Sequence, residues 1–333
     1  MTDKKHLLPS DKKRKRIMKV KSKTNPNYGK SPEEYSIKEL LNNGIINLDK
    51  TQGPTSHQVD SWIKEILSQE KVGHGGTLDP NATGVLPIAI GDATRALQVL
   101  LSAGKEYVGI MKLHKNIDKK KIVEVCNSFV GEITQLPPVR SAVKRVKRKR
   151  EIYYLDIIQI KDRDVLFRVG CESGTYVRTL CVDIGSKLKI VAHLAELRRT
   201  KVGHLIEEDS VKLHDLKDAY TFWKEDKNEK ELRSIVLPME RLFDHFPKIV
   251  IRDSAIDALC HGASLAIPGV VEIDSDIKKD DLAVVFSLKG EGVALVKSLM
   301  STEEVIQKDK GMCANLDRVL MNKGTYPAIW KKS

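Results

Sequence analysis

Between Gly73 and Pro87 the chain reads Gly-His-Gly-Gly-Thr-Leu-Asp-Pro-Asn-Ala-Thr-Gly-Val-Leu-Pro, and Asp79 is its one acidic residue. No cysteine lies nearby, and the next carboxylate is Asp92. A hard cation wants several oxygen ligands, so a lone Asp on a Gly/Pro loop is a poor metal site. The chemistry it suits is attack on a sugar carbon, or shielding of a developing oxocarbenium charge. A plain loop in which Asp79 caps the next turn uses the same residue types. Motif chemistry alone leaves both readings open.

The elements around this loop can be read from periodicity. Residues 36–41 predict a short helix, and residues 44–50 a strand that ends in a turn at Gly53-Pro54. Thr55 or Ser56 can cap a helix whose Val59, Trp62, Ile63, Ile66 and Leu67 share a face. Residues 107–113 predict a strand, and 118–129 a helix with Ile122, Val125, Cys126 and Phe129 at its spacing. Strands follow at 152–160 and 165–171, then a helix over 175–188 with Val177, Leu180, Cys181, Ile184 and Leu188 inward. Helices and strands do not alternate strictly. An α+β fold with a mixed, largely antiparallel sheet is therefore expected, rather than a doubly wound parallel one. Residues 206–245 are highly charged and mostly helical, with Leu213, Leu216, Tyr220 and Phe222 set to pack on the preceding domain. A fresh start comes at Pro247. A strand at 248–252, a helix at 254–260, a turn at 266–269 and short strands near 282–287, 292–300 and 316–321 predict a compact barrel.

The composition narrows the partners. The 333 residues carry a net charge of +12, which points to a polyanion. Ten of the basic residues fall before residue 24, against Asp3 and Asp11, so the first 24 residues read as a disordered basic arm. Aromatic residues make up only 5%, so base stacking would rest on few rings. Cysteines 126, 171, 181, 260 and 313 form no C-x-x-C pair, which argues against a zinc knuckle and for buried free thiols in a reducing, cytoplasmic setting. The histidines are too scattered along the chain to suggest a ligand set. The basic N-terminus lacks the apolar core of a secretory signal, and no apolar run approaches membrane-spanning length.

Five separated blocks carry a family resemblance. They are the 73–87 loop, Asn47-Leu-Asp-Lys50 through Gly53-Pro-Thr-Ser56, Lys105-Glu-Tyr107, Ser173-Gly-Thr-Tyr-Val-Arg178-Thr-Leu, and His193-Leu-Ala-Glu-Leu197-Arg-Arg-Thr200. In their order, across roughly residues 45–205, they resemble the TruB family of pseudouridine synthases. The tail, Arg318-Val-Leu-Met and Thr325-Tyr-Pro-Ala-Ile-Trp330, resembles the archaeal and eukaryotic dyskerin-like branch, the catalytic subunit of H/ACA guide-RNA particles. His261-Gly-Ala-Ser-Leu-Ala-Ile-Pro-Gly-Val270 resembles a PUA domain, a small RNA-binding β-barrel. The resemblance implies a basic arm at 1–24, an ordered extension at 25–44 packing on the C-terminal domain, a catalytic domain at 45–246 and a PUA domain at 247–333.

It also implies an activity and a site. Uridine becomes pseudouridine when the N1–C1′ bond breaks, the base turns and C5 joins C1′, after the base has left its stack. Asp79 is implied as the catalytic carboxylate. Attack at C1′, attack on the ring, and assistance of an elimination all stay open. Arg178 pairs with Asp79 and keeps it ionised in a drier pocket. Tyr107 stacks on the flipped base, Tyr176 meets the base edge or helps proton transfer at C5, and Leu197 is an apolar wall. An ordinary core role is the alternative for each of these three. On the RNA side, His74 fills the space the base vacates. Lys50 is grouped with it and braces the loop, and Arg198, Arg199 and Lys201 suit phosphates. The run Lys144-Arg-Val-Lys-Arg-Lys-Arg150 suits phosphates as well, or is a solvated hairpin tip. No metal, nucleotide or redox cofactor is implied, and the 73–76 loop lacks the Gly-Lys-Ser/Thr ending of a P-loop.

Departures from the pattern bear on partners. The 141–152 segment is shorter than in bacterial stand-alone members, where insertions grip tRNA. That favours placement by an H/ACA guide RNA and small core proteins, with rRNA as substrate and tRNA as a second candidate. The lack of a long Lys-rich tail after Trp330 suits an archaeal member. A stand-alone tRNA pseudouridine synthase and a non-catalytic RNA-binding scaffold are the competing readings.

Overall fold

The computed structural model describes residues 7–138 and 144–328. A short strand, β1 (Arg16–Met18), precedes helix α1 (Ile37–Asn43). The first domain then runs β2 (Gly44–Lys50), α2 (Ser56–Leu67), β3 (Val72–His74), β4 (Thr83–Ile90), α3 (Gln98–Leu101) and β5 (Lys105–Leu113). It continues with α4 (Lys119–Asn127), β6 (Gly131–Gln135), β7 (Arg148–Lys161), β8 (Asp164–Cys171), α5 (Val177–Lys187) and β9 (Ala192–Val202). Strand β10 (Leu205–Ile206), helices α6 (Leu213–Asp226) and α7 (Lys230–Ile235), and β11 (Leu237–Pro238) complete it.

Local chemistry starts the helices where expected. Ser36 and Glu39 exchange hydrogen bonds across the first turn of α1, and Thr55 and Gln58 do so at α2. Helix α2 buries Val59, Ile63 and Leu67, but Trp62 stays 40% exposed although its spacing suggested the inner face.

The sheet order is β11-β2-β4-β9-β5-β8-β7-β6, with β3 beside β4 and β10 beside β9. Pairing is antiparallel except between β4 and β9, where Thr83 faces Arg198 and Gly84 faces Arg199. This parallel junction demands a glycine. Gly84 has φ +102°, and a Cβ there would lie 2.2 Å from the Arg199 carbonyl oxygen. Helices α2, α4, α5 and α6 bury their apolar faces with this sheet in one core, which includes Ile63, Leu86, Ile122, Phe167, Leu180 and Leu216.

The second domain runs β12 (Lys248–Ile251), α8 (Asp253–Cys260), β13 (Leu265–Ala266), β14 (Val270–Asp274), β15 (Leu282–Phe286), β16 (Gly292–Ser298), α9 (Thr302–Gln307) and β17 (Met312–Val319). Its sheet order is β1-β14-β12-β15-β16-β17-β13. The presence of β1 in that sheet corrects the expectation of a disordered arm. Arg16 pairs with Asp274 across the strands, Lys12 and Arg14 meet Asp276, Lys201 meets Asp11, and Thr24 bonds Asp253. Lys12, Arg14 and Arg16 are matched by carboxylates that lie far away in sequence, which no local charge count can locate. Residues 1–6 lie outside the described residues. Residues 25–30 of the extension also lie on this domain, whereas α1 buries Ile37, Leu40 and Leu41 in the core of the first, which corrects the expectation that all of 25–44 packs on the C-terminal domain. The Lys289 ammonium donates to the carbonyls of Pro26, Tyr28 and Gly29, and Glu291 accepts from the Lys30 backbone.

A third apolar cluster joins the two domains. Ile45, Val85 and Val99 from the first meet Leu242 and Phe243 of the connection and Val284, Phe286 and Leu295 of the second. The five cysteines are buried and unpaired. Among the described residues no helix is long and apolar enough to cross a membrane.

Because the joint is apolar, both domains should unfold together. Phe243 is fully buried there. Phe243→Ala should cost about 3–5 kcal/mol and keep one transition in urea, followed in parallel by circular dichroism and tryptophan fluorescence. Two separated transitions in the wild-type protein would overturn this account of the joint.

Candidate active site

The loop between β3 and β4 is fastened through its backbone. The Ser56 hydroxyl donates to the Leu78 carbonyl at 3.0 Å and accepts from its N–H at 2.9 Å. The Gly53 N–H donates to the Pro80 carbonyl, and the Gly75 N–H to that of Pro87. Two fully buried cations do the rest. The Lys50 ammonium donates to the carbonyls of Thr51 at 2.8 Å, Ala82 at 2.9 Å and Pro80 at 3.4 Å. The Arg199 guanidinium donates to those of Val85 at 2.7 Å, Gly76 at 3.0 Å and Thr77 at 3.4 Å. Burial, and then the nearby Arg199 charge, lower the Lys50 pKa, while Asp79 opposes the shift.

Asp79 projects from this loop into a cavity of about 560 Å³ and forms an ion pair with Arg178. That volume lies within the range of small-molecule sites. Tyr107 from β5, Leu197 from β9, and Tyr176 and Arg178 from the start of α5 line the same space. Tyr107 is buried, and its hydroxyl pKa is raised mainly for that reason. Tyr176 is held by Gln135, which accepts from its N–H at 2.9 Å and donates to its carbonyl at 3.2 Å. Lys105 lines the cavity too. Its ammonium donates to the carbonyls of Leu100 and Ala103, and burial together with Arg199 lowers its pKa to about 8. The assembly is a carboxylate at a cavity mouth, a guanidinium beside it, aromatic and apolar walls, and positive charge behind.

The TruB family pseudouridylate synthase N-terminal domain matches residues 64–177, and the tRNA pseudouridylate synthase B C-terminal domain matches 178–244. The DKCLD domain matches residues 5–60 and the PUA domain 247–320. The probable tRNA pseudouridine synthase B of Methanopyrus kandleri is 53% identical over 98% of this chain and 97% of its own length. The chain belongs to the TruB family of pseudouridine synthases. The Thermococcus kodakarensis relative of the same name is 52% identical over 98% of this chain and 97% of its own. The fold also superposes on the solved Cbf5-Nop10-Gar1 complex with a TM-score of 0.93 at 49% identity, over 97% of this chain and 98% of that one. An H/ACA RNP bound to a substrate RNA containing 2′-deoxyuridine gives a TM-score of 0.91 at 47% identity, over 97% and 100%. The synthase thus has a mixed-sheet pseudouridine synthase domain followed by a PUA domain.

Two expectations about this synthase need correction. The Asp79–Arg178 pair is not in a dry pocket, since its side chains are 53% and 51% exposed. The residues grouped for RNA contact are largely engaged inside the protein. Lys50 and Arg199 are buried, Arg198 is tied to Asp49 and Glu207, and Lys201 to Asp11. Strand alternation sends Arg198 and Arg199 to opposite faces, so two adjacent arginines make no common basic patch. His74 lies behind the loop, with Nδ1 2.7 Å from Asp60 and Nε2 3.2 Å from Thr77.

The exposed cations are elsewhere. Lys144, Arg145, Lys147 and Arg148 are exposed, and Arg148 pairs across the sheet with Gln135, the residue that holds Tyr176. Residues 139–143 of that segment, and the tail from residue 329, Trp330 included, lie outside the described residues. The scattered histidines also meet in pairs: His114 with His193, His204 with His245, and His57 with His74. Sequence reasoning missed Lys105 and Gln135 as parts of the site. The matched Lys105-Glu-Tyr107 block was a signal for the first, whereas Gln135 had none.

The two arginines should separate in a stability measurement. Arg199→Lys cannot reach three carbonyls with a planar fork, and should cost about 2–4 kcal/mol in urea unfolding. Arg178→Lys alters a half-exposed pair and should stay within about 1 kcal/mol of wild type. Equal stability of the Arg199→Lys and wild-type proteins would show that the carbonyl contacts do not hold the loop.

Proposed function

We propose that this synthase isomerises uridine at Asp79 in an RNA positioned by an H/ACA guide. The observation that carries the proposal is the meeting of Asp79 and Arg178 at the mouth of a cavity lined by Tyr107, Tyr176 and Leu197. Asp79 is the catalytic carboxylate. The bidentate-capable guanidinium of Arg178 orients it, and incoming RNA covers the half-exposed pair and strengthens it by excluding water. Tyr107 stacks on the extruded base, Tyr176 faces its edge and Leu197 closes the apolar side. The exposed Lys144–Arg148 run is better placed for phosphates than Arg198, Arg199 or Lys201.

Partners follow from the solved relatives, one with Nop10 and Gar1 and one an H/ACA RNP with substrate RNA. Both are matched over nearly the whole chain, which supports guide RNA, substrate RNA and small core proteins as partners, with rRNA as the main substrate. The names of the curated relatives keep tRNA as a second substrate. Five buried thiols suit a reducing cytoplasm.

Asp79→Asn keeps the size of the side chain and removes its charge and nucleophilicity. It should abolish tritium release from RNA carrying 5-tritiated uridine, while RNA affinity stays within a few-fold. Activity within about tenfold of wild type would remove Asp79 from the mechanism. Arg178→Lys should lower the single-turnover rate at least about tenfold with little change in affinity, because an ammonium lacks the planar guanidinium that orients the carboxylate.

Guide dependence has its own test. A guide carrying a base change, supplied with the core proteins and a target carrying the compensating change, should restore modification at the new site. Robust modification of one tRNA uridine, indifferent to any guide, would support stand-alone action instead.

A further inference from the structure

We propose that His57, Asp60 and His74 form a binding site for a divalent transition-metal ion of the zinc class, beside the Asp79 loop. The site is built on two rigid elements. His57 and Asp60 stand three positions apart on α2 and so share a face, and His74 ends β3 opposite them. One donor atom from each residue lies within 4.8 Å of the other two. Nδ1 of His74 is 2.7 Å from Oδ2 of Asp60, and Nδ1 of His57 is 3.8 Å from the same oxygen. The two imidazole rings stand edge to face with centroids 5.1 Å apart. Donors at about 2.0–2.2 Å from a tetrahedral zinc ion are separated by roughly 3.4 Å. Small side-chain rotations bring these three to that spacing.

A second observation points to a cation. Asp60 is only 7% exposed, and its other oxygen, Oδ1, is buried without a hydrogen-bond partner. The buried carboxylate is thus met by hydrogen bonding on its Oδ2 side alone, and a cation at Oδ2 compensates the charge that Oδ1 leaves unmet. Two imidazoles and one carboxylate form a mixed nitrogen–oxygen set. Such a set suits zinc, cobalt or nickel, whereas magnesium and calcium prefer oxygen alone. Three protein ligands leave a position open for water.

The surroundings fit a ligating His74. Its Nε2 lies 3.2 Å from the Thr77 hydroxyl, so Nε2–H can donate there while Nδ1 turns its lone pair to the metal. In a neutral ring the proton on Nδ1 is then replaced by one on Nε2, with no net release. An imidazolium passes one proton to the buffer. The His57 side chain is 84% exposed and gives the ion a path in from solvent. An ion held here would tie α2 to the strand that leads into the Asp79 loop.

The test uses the full chain, freed of metal with a chelator and titrated with Co²⁺ as a visible probe, with Zn²⁺ added to displace it. Wild type should bind about one equivalent with the absorption of a low-coordinate nitrogen–oxygen site, and zinc should abolish the signal. His57→Ala removes an exposed side chain, so its fold is preserved, which circular dichroism checks. Its affinity should fall at least about tenfold. Asp60→Asn should lose binding as well, whereas His193→Ala, which breaks the separate His114–His193 pair, should leave it unchanged. The melting temperature should rise with Zn²⁺ in wild type and not in His57→Ala. No Co²⁺ absorption in wild type, or equal affinity in wild type and His57→Ala, overturns the proposal.

Discussion

Two buried cations grip the Asp79 loop by its carbonyl groups, and the rest of the site depends on that grip. Lys50 comes from β2 and Arg199 from β9, the two strands that flank β4. Each donates to backbone oxygens on or beside the loop. Burying two such charges is expensive unless their donors are met. Carbonyl dipoles meet the donors without cancelling the charge, as a carboxylate would. The loop is therefore rigid, and the ground behind Asp79 stays electropositive. Tyr107 and Lys105 both feel the Arg199 charge, so one guanidinium organises the loop and the inner wall together. Arg178, half exposed, completes the pair from outside.

Much of this was legible in the sequence, for stated physical reasons. Strands β2, β5, β7 and β8 and helices α1, α2, α4 and α5 show clear period or caps, and they form close to the expected ranges. Strands β4 and β9 were not anticipated. β4 is buried along nearly its whole length, so it has no alternation, and it contains Gly84 and Pro87. β9 carries Glu196, Arg198, Arg199 and Lys201, and such charges read as surface. Asp79, Tyr107, Tyr176, Arg178 and Leu197 do converge on one cavity. The basic residues were misjudged because residue type states a charge and not which face bears it. The histidine pairs escaped notice because their members lie between 17 and 79 positions apart.

The joint between the domains sets the working geometry. Its apolar cluster fastens the PUA domain against the edge of the catalytic sheet that carries β2 and β4. The N-terminal arm and the extension run over the same junction. RNA held by the second domain therefore meets a cavity at a fixed position. In this layout, choice of target falls to whatever pairs with the RNA, while the protein supplies a rigid span and a pocket.

The pairing of β1 with β14 has a consequence in time. Arg16 is synthesised 258 residues before its partner Asp274. At about 5–20 residues per second, the arm waits on the order of ten seconds or longer for its place in the sheet. During that interval Lys12, Arg14 and Arg16 lack the carboxylates that later pair with them. The nascent chain thus presents, briefly, a ribbon more strongly cationic than the same segment in the finished protein.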